Sequence, residues 1–291
     1  MPAALAVSLG GRPAEGQDRR SLGHSDPETQ LMGFHAAVLQ FHAAGLPDRG
    51  GRLAISAAAT YVPSLSTEEQ TVSFGGTQTV DANLCGAMTR FGASKAFGRV
   101  SVEVAATPSE VCGLESLLFS GALGYRAPLS PQWDGMIRVS GYSGTVTGSI
   151  ACNEEAIRNA FNQACYGGSV STDELAPTAI AGSLIAAYRG WAARGLEPYF
   201  LAGVRYETVD YDVSFTRTQA QSDSVLAADP AHAVPPLTRA DQYQATLSRV
   251  HLGAGASWTA GRFRLGANMI YAPGAVLTAS GSVAFLIGRS R

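Results

Sequence analysis

The chain has 291 residues, of which only 15% are charged and 33 are glycine, with a formal net charge of -2 at neutral pH. An average soluble protein carries about 25% charged residues, and no basic block interleaved with aromatics offers a footprint for nucleic acid. Mean hydropathy is slightly positive, yet no stretch approaches the roughly 18 consecutive apolar residues of a membrane-spanning helix. A chain of this kind that entered a membrane would have to carry its apolarity at period two, in a closed sheet.

Met1 is followed by PAALAVSLGG, with no Lys or Arg before Arg12. The basic region that opens an export signal is therefore missing. A signal removed before the numbering, a truncated start and a chain that is never exported all fit. Next, LMGFHAAVLQFHAAG places Leu31, Phe34, Val38 and Phe41 at helix-like spacing, but the turns on either side favour reading it as a strand.

The alternation is clear in RLAISAAATYV, where Leu53, Ile55, Ala57, Ala59 and Tyr61 share one face and Ala54, Ser56, Ala58 and Thr60 the other. GRVSVEVAA repeats it, with Val100, Val102 and Val104 opposite Arg99, Ser101 and Glu103. In NEEAIRNAFNQA a short surface helix is expected, with Asn153 as N-cap and two glutamates in its first turn. TAIAGSLIAAYRGWAARG is again ambiguous, since Ile180, Leu184, Tyr188 and Trp191 fit a helix, and it is read as a strand.

From Tyr199 to Arg217 the run exceeds the roughly 9 to 11 residues that cross a bilayer. Its apolar face changes phase, from Phe200, Ala202, Val204 and Tyr206 to Val209, Tyr211, Val213 and Phe215. A β-bulge near Thr208 and a ribbon continuing beyond the membrane are expected. Near the end, Val250, Leu252, Ala254, Ala256 and Trp258 oppose Arg249, His251 and Ser257, and Phe263, Leu265, Ala267, Met269 and Tyr271 oppose Arg262, Arg264 and Asn268. Gly253 and Gly255 fit close packing on the inward face.

Short connections near 46–52, 91–98, 129–135, 192–197 and 259–262 alternate with longer ones at about 11–31, 64–78, 107–114, 150–177 and 218–241. Only 272–275 breaks the alternation. Counting the first segment, the strands number about twelve.

The stretches GRLAISAAATYVPSL, HLGAGASWTAGRFRLGANMIYAP and SGSVAFLIGRSR, with these unequal connections, resemble the broad class of bacterial outer-membrane β-barrel proteins. The resemblance covers nearly the whole chain and is architectural. It implies an all-β fold, a closed antiparallel transmembrane barrel forming one domain over 1–291, with short turns on one side, long loops on the other and a large surface loop at about 150–177. It also implies outer-membrane lipid as the surroundings. The aromatic that commonly ends this class is absent, since Phe285 is followed by LIGRSR.

On the face opposite the apolar one stand Glu103, Arg126, Arg138, Arg189, Arg205, Glu207, Arg249, His251 and Arg264. If that face is the lumen, its arginine excess favours a small anionic or amphipathic solute. The competing reading is that these groups pair with one another and brace a narrow barrel. Passive or selective passage of such a solute is the first functional expectation, and a non-conducting structural or surface ligand-binding barrel the second. A lipid hydrolase is third: His251 with Ser248 or Ser257 is conceivable, but Ser248 lies on the opposite face and Ser257 six residues away, while His35 and His42 are opposite in phase. No catalytic, cofactor or metal signature is present. Cys152 and Cys165 flank the loop helix and suit a disulfide in an oxidising compartment, leaving Cys85 and Cys112 as a second pair.

Overall fold

A computed structural model describes residues 20–21, 46–61, 87–111, 114–154, 156–160, 162, 165–273 and 276–288. The strands are β1 (Arg20–Ser21), β2 (Leu53–Tyr61), β3 (Ala87–Phe97), β4 (Val100–Val111), β5 (Leu114–Pro128), β6 (Trp133–Gly148), β7 (Asp173–Tyr188), β8 (Leu196–Arg217), β9 (Leu237–Ala260), β10 (Phe263–Ala272) and β11 (Val276–Ile287). A single α-helix among the described residues, α1 (Gln219–Ala228), lies between β8 and β9.

From β2 to β11 each strand pairs antiparallel with the next, and β11 returns to β2 in an unbroken register from Ala279 opposite Tyr61 to Ile287 opposite Leu53. The ring is therefore closed by ten strands, with β1 added outside it as a two-residue parallel pairing on Tyr243 and Gln244 of β9. This corrects the expected twelve. Once β11 and β2 satisfy each other's backbone groups, the ring itself offers no edge to a further strand, and β1 sits on the part of β9 that extends past its pairing with β10. The first two expected strands fall on residues outside those described.

All the short connections between consecutive barrel strands gather at one end except two. Gly98 and Gly261 supply the left-handed conformations (φ 66° and 59°) of the turns after β3 and β9, which a residue with a Cβ adopts only at a cost. At the opposite end, the connection expected at 107–114 is much shorter than read, because β4 and β5 continue to Val111 and from Leu114. The sequence TPSE is polar, and polarity alone does not separate a loop from a strand rising into water.

The segment kept as a strand despite its helical spacing is β7, which pairs along most of its length with β6 and β8. The expected bulge in β8 is absent: Glu207, Thr208 and Val209 pair in sequence with Leu247, Thr246 and Ala245. Odd-numbered residues of β8 point inward throughout, from Tyr199 to Arg217. It is the polarity of the faces that inverts. Up to Tyr206 the outward face is apolar and exposed and the inward face carries Arg205 and Glu207; beyond Thr208 the outward face carries Asp210, Asp212 and Ser214 and the inward face Val209, Tyr211, Val213 and Phe215. Inversion without a register shift is what a strand needs on leaving hydrocarbon for water.

Beyond that level β8 and β9 form a ribbon packed over its own small core. The loop between β6 and β7, whose Ser169 and Thr172 N–H groups donate to Thr216 and Ser214 of β8, is closed by a Cys152–Cys165 disulfide spanning 13 positions, which on a chain-entropy basis contributes about 3 kcal/mol. The expected helix is a single 3-10 turn (Ala156–Arg158), with the Asn153 side chain accepting from the Ala156 N–H at 2.8 Å. Cys85 and Cys112 lie outside the described residues.

Candidate functional site in the barrel interior

The outer surface fixes the surroundings in which the interior works. Phe91, Val104, Phe119, Leu123, Ile137, Leu184, Phe200, Val204 and Met269 all face outward and are more than half exposed, a continuous apolar band that water would not tolerate. Aromatics rim it at the short-turn end: the Trp133 and Tyr188 rings lie 5.2 Å apart, Tyr188 and Trp191 5.7 Å, and Phe263 and Phe285 5.5 Å. Tyr61, Tyr206 and Tyr271 face outward towards the other end. No helix among the described residues is long and apolar enough to cross a membrane.

Within this band the alternation delivers polar side chains to the inside. Glu103, Arg138, Arg205, Glu207, Arg249, His251 and Arg264 are buried, and Arg126 and Arg189 are partly so. Apart from His251, they assemble at two levels of the barrel. Towards the long-connection end, Arg138 Nη2 on β6 meets Glu103 on β4 at 3.1 Å, reaching across β5. Glu207 is approached by Arg205 at 3.0 Å and by Arg249 at 3.7 Å, and the Tyr142 hydroxyl donates to it.

At the short-turn end the group is centred on Asp134 and Glu197. Asp134 on β6 takes Arg126 at 2.8 Å, Arg49 at 2.9 Å and Arg189 at 3.1 Å. Glu197 on β8 takes Arg126 from β5, Arg49, and Arg264 from β10 at 3.5 Å. Strands that are not neighbours thus meet at one carboxylate. Arg49 belongs to the segment before β2, which turns into the barrel mouth: Leu46 is buried among Met136, Ile185, Ala187 and Tyr199. There Asp48 receives the Arg52 side chain at 2.8 and 3.0 Å and its backbone N–H at 3.2 Å. Burial pushes the Asp48 carboxyl up, but these bonds outweigh it and hold it below the usual carboxylate range.

Arg49, Asp134 and Glu197 were not among the residues singled out from sequence. Asp134 and Glu197 sat inside WDG and RGLE, which read as turns, although Glu197 shares the odd phase of Tyr199 and Arg205. Arg49 stands on no strand, so no periodicity marks it.

His251 pairs with neither serine first considered. Its Nε2 lies 3.0 Å from the Ser183 hydroxyl on β7, whereas Ser257 accepts from Arg264 at 2.8 Å and Ser248 faces outward. His251 Nδ1 has no hydrogen-bond partner among the described residues, so the third member of a catalytic triad is missing there. No group of three His, Cys, Asp or Glu able to hold a metal occurs among the described residues.

Two interior cavities are lined by described residues. A cavity of about 30 Å³ lies beside Arg90, Glu103 and Arg264, enough for very few water molecules. A second, of about 240 Å³, opens at the short-turn mouth between Arg49, Ser101, Arg126 and Arg189.

A closed antiparallel ring, apolar outside, polar inside and girdled by aromatics, defines the class: this is an outer-membrane β-barrel. No protein-family model and no curated protein matches the chain. Among solved structures it is similar to Ail, the attachment invasion locus protein of Yersinia pestis, at 10% identity and a TM-score of 0.29, over 81% of this chain and 97% of that one. It is also similar to the outer membrane protein Omp33 of Acinetobacter baumannii, at 10% identity and a TM-score of 0.27, over 81% and 98%. A FadL homologue of Pseudomonas aeruginosa aligns at 11% identity and a TM-score of 0.31, over 76% and 60%. Overlap this low carries nothing about activity, and the class rests on the chain's own surface and ladder.

Proposed function

We propose that the protein is a closed, non-conducting barrel whose working part is the disulfide-braced ribbon it holds beyond the membrane. The observation that carries this reading is Glu197, a carboxylate gripped by guanidinium groups from β5, β10 and the segment before β2. A ten-stranded ring is only modestly wider than one that side chains fill completely, and these ion pairs cross it. The second sequence expectation, a structural or surface ligand-binding barrel, is thereby favoured over solute passage.

Purified protein inserted into planar lipid bilayers tests this directly. The closed reading expects a membrane no leakier than bare lipid, and Glu197→Ala, which removes the carboxylate that three arginines share, to raise the baseline. Stable, ohmic, anion-selective steps from the unaltered chain would instead support the passage reading, which draws on the interior arginine excess.

A further inference from the structure

The mouth cavity has a charge imbalance that the barrel's own packing does not use. Among the described residues, Asp134 and Glu197 between them face Arg49, Arg126, Arg189 and Arg264, so two carboxylates answer four guanidinium groups. Asp48 and Arg52 neutralise each other and leave that surplus untouched. Three of the four arginines, Arg49, Arg126 and Arg189, line the 240 Å³ cavity, and Arg49 and Arg189 remain about a third exposed. Water can therefore reach this surplus from the short-turn side.

A second feature points into the same space. Ser101 on β4 is only 5% exposed, its hydroxyl has no hydrogen-bond partner among the described residues, and it lines the cavity. An O–H buried without an acceptor is costly, and a bound acceptor would remove that cost. Glycine keeps the room: a Cβ on Gly124 would come within 2.5 Å of the Ser101 hydroxyl and 2.1 Å of Met136 Cε.

We infer that this vestibule binds a small soluble dianion, of the chemistry of inorganic phosphate or a phosphate monoester. Two negative charges match the surplus. The guanidinium groups supply planar paired donors, the strongest partners for such oxygens, and Ser101 donates from the β4 wall. Asp134 stays occupied by its arginines and holds them in place. The site dead-ends against the Glu197 pairs, so it fits capture at the mouth and does not require a continuous path.

The test is titration calorimetry of the full chain in an uncharged maltoside detergent, with inorganic phosphate as the probe. Saturable binding below about 10 mM is expected, a range fitting a few charge-assisted bonds at a partly wet site. Ser101→Ala should weaken it about tenfold, the worth of one hydrogen bond to a charged group. Ser101→Leu, which pushes an isobutyl group into the cavity and leaves every charge in place, should abolish it, and Arg189→Gln should weaken it while Arg189→Lys restores part. Heat-modifiable migration on gels shows that each variant is folded. If phosphatidylglycerol added to the micelles displaces phosphate, the site takes a lipid phosphate and the soluble source is overturned; if it does not, the soluble dianion stands. An isotherm that never saturates, or a folded Ser101→Leu chain that binds as the parent does, overturns the site itself.

Discussion

Gly203 stands in register between Ser183 on β7 and His251 on β9, and its missing side chain is what lets the imidazole reach the hydroxyl. A Cβ there would lie 2.6 Å from the His251 ring and 2.3 Å from the Gly182 carbonyl oxygen, the second a backbone atom that cannot turn aside. Gly182, its neighbour on β7, offers the contrast, since a Cβ there would meet nothing within 4 Å. Gly203→Ala should therefore destabilise the barrel by about 1–3 kcal/mol through overpacking. Gly182→Ala should be neutral or stabilise by about 0.5 kcal/mol, because a strand glycine loses more freedom on folding. Urea unfolding in lipid vesicles measures both, and equal effects would contradict the geometry. Gly255 follows the same logic beneath Tyr199, whose ring a Cβ would approach to 2.6 Å. The expectation that the glycines of β9 serve close packing thus acquires a specific partner.

At the scale of elements, the loop between β6 and β7 is tied to the ribbon through one buried carboxyl. Asp173 accepts from the Ser171 hydroxyl at 2.6 Å and from the backbone N–H groups of Ala151 and Ser214. Burial nevertheless pushes it up, more strongly than these donors pull it down. A carboxyl raised in the folded state stabilises fully below its unfolded value near 4 and loses that contribution as pH rises through the raised value. Amide protection at Ala151 and Ser214, corrected for intrinsic exchange, should accordingly fall as pH climbs from about 4 towards neutrality, and Asp173→Asn should flatten the profile. Protection that rises with pH would reverse the assignment. Such ties are not visible in sequence, because Asp173 meets Ser214 only after β7 and β8 pair, and Ala151 only when the loop folds back. What the chain did disclose was whatever repeats at period two: β2, β4, β9 and β10, the strand nature of β7 and the phase of the interior arginines. The strand total was misread because closure is decided by which two strands find each other, and LPDRGGR looks equally like a hairpin turn or a segment entering a barrel mouth. The mouth network was missed for the same reason, as half of it, Arg49, Asp134 and Glu197, falls in segments that read as turns.

For the molecule as a whole, the level at which β8 inverts its polarity locates the membrane surface. Val204 and Ser214 share the outward face of one unbroken strand, and both are exposed, Val204 at 60%. If the boundary lies at Thr208, a charge at the first position enters hydrocarbon and the same charge at the second meets water. Val204→Arg should then cost about 2–4 kcal/mol, as lipid-facing arginines near a bilayer midplane do, and Ser214→Arg should cost about 0–1 kcal/mol. The measurement is reversible urea unfolding in phosphatidylcholine vesicles. A bulge that flipped the strand would turn Tyr211 and Phe215 outward and bring Ser214 to the inside, and burying a charge there would cost several kcal/mol. A large penalty at Ser214 would therefore restore the bulge and remove the boundary. A large penalty confined to Val204 would fix both the continuous register and the depth at which the ribbon leaves the bilayer.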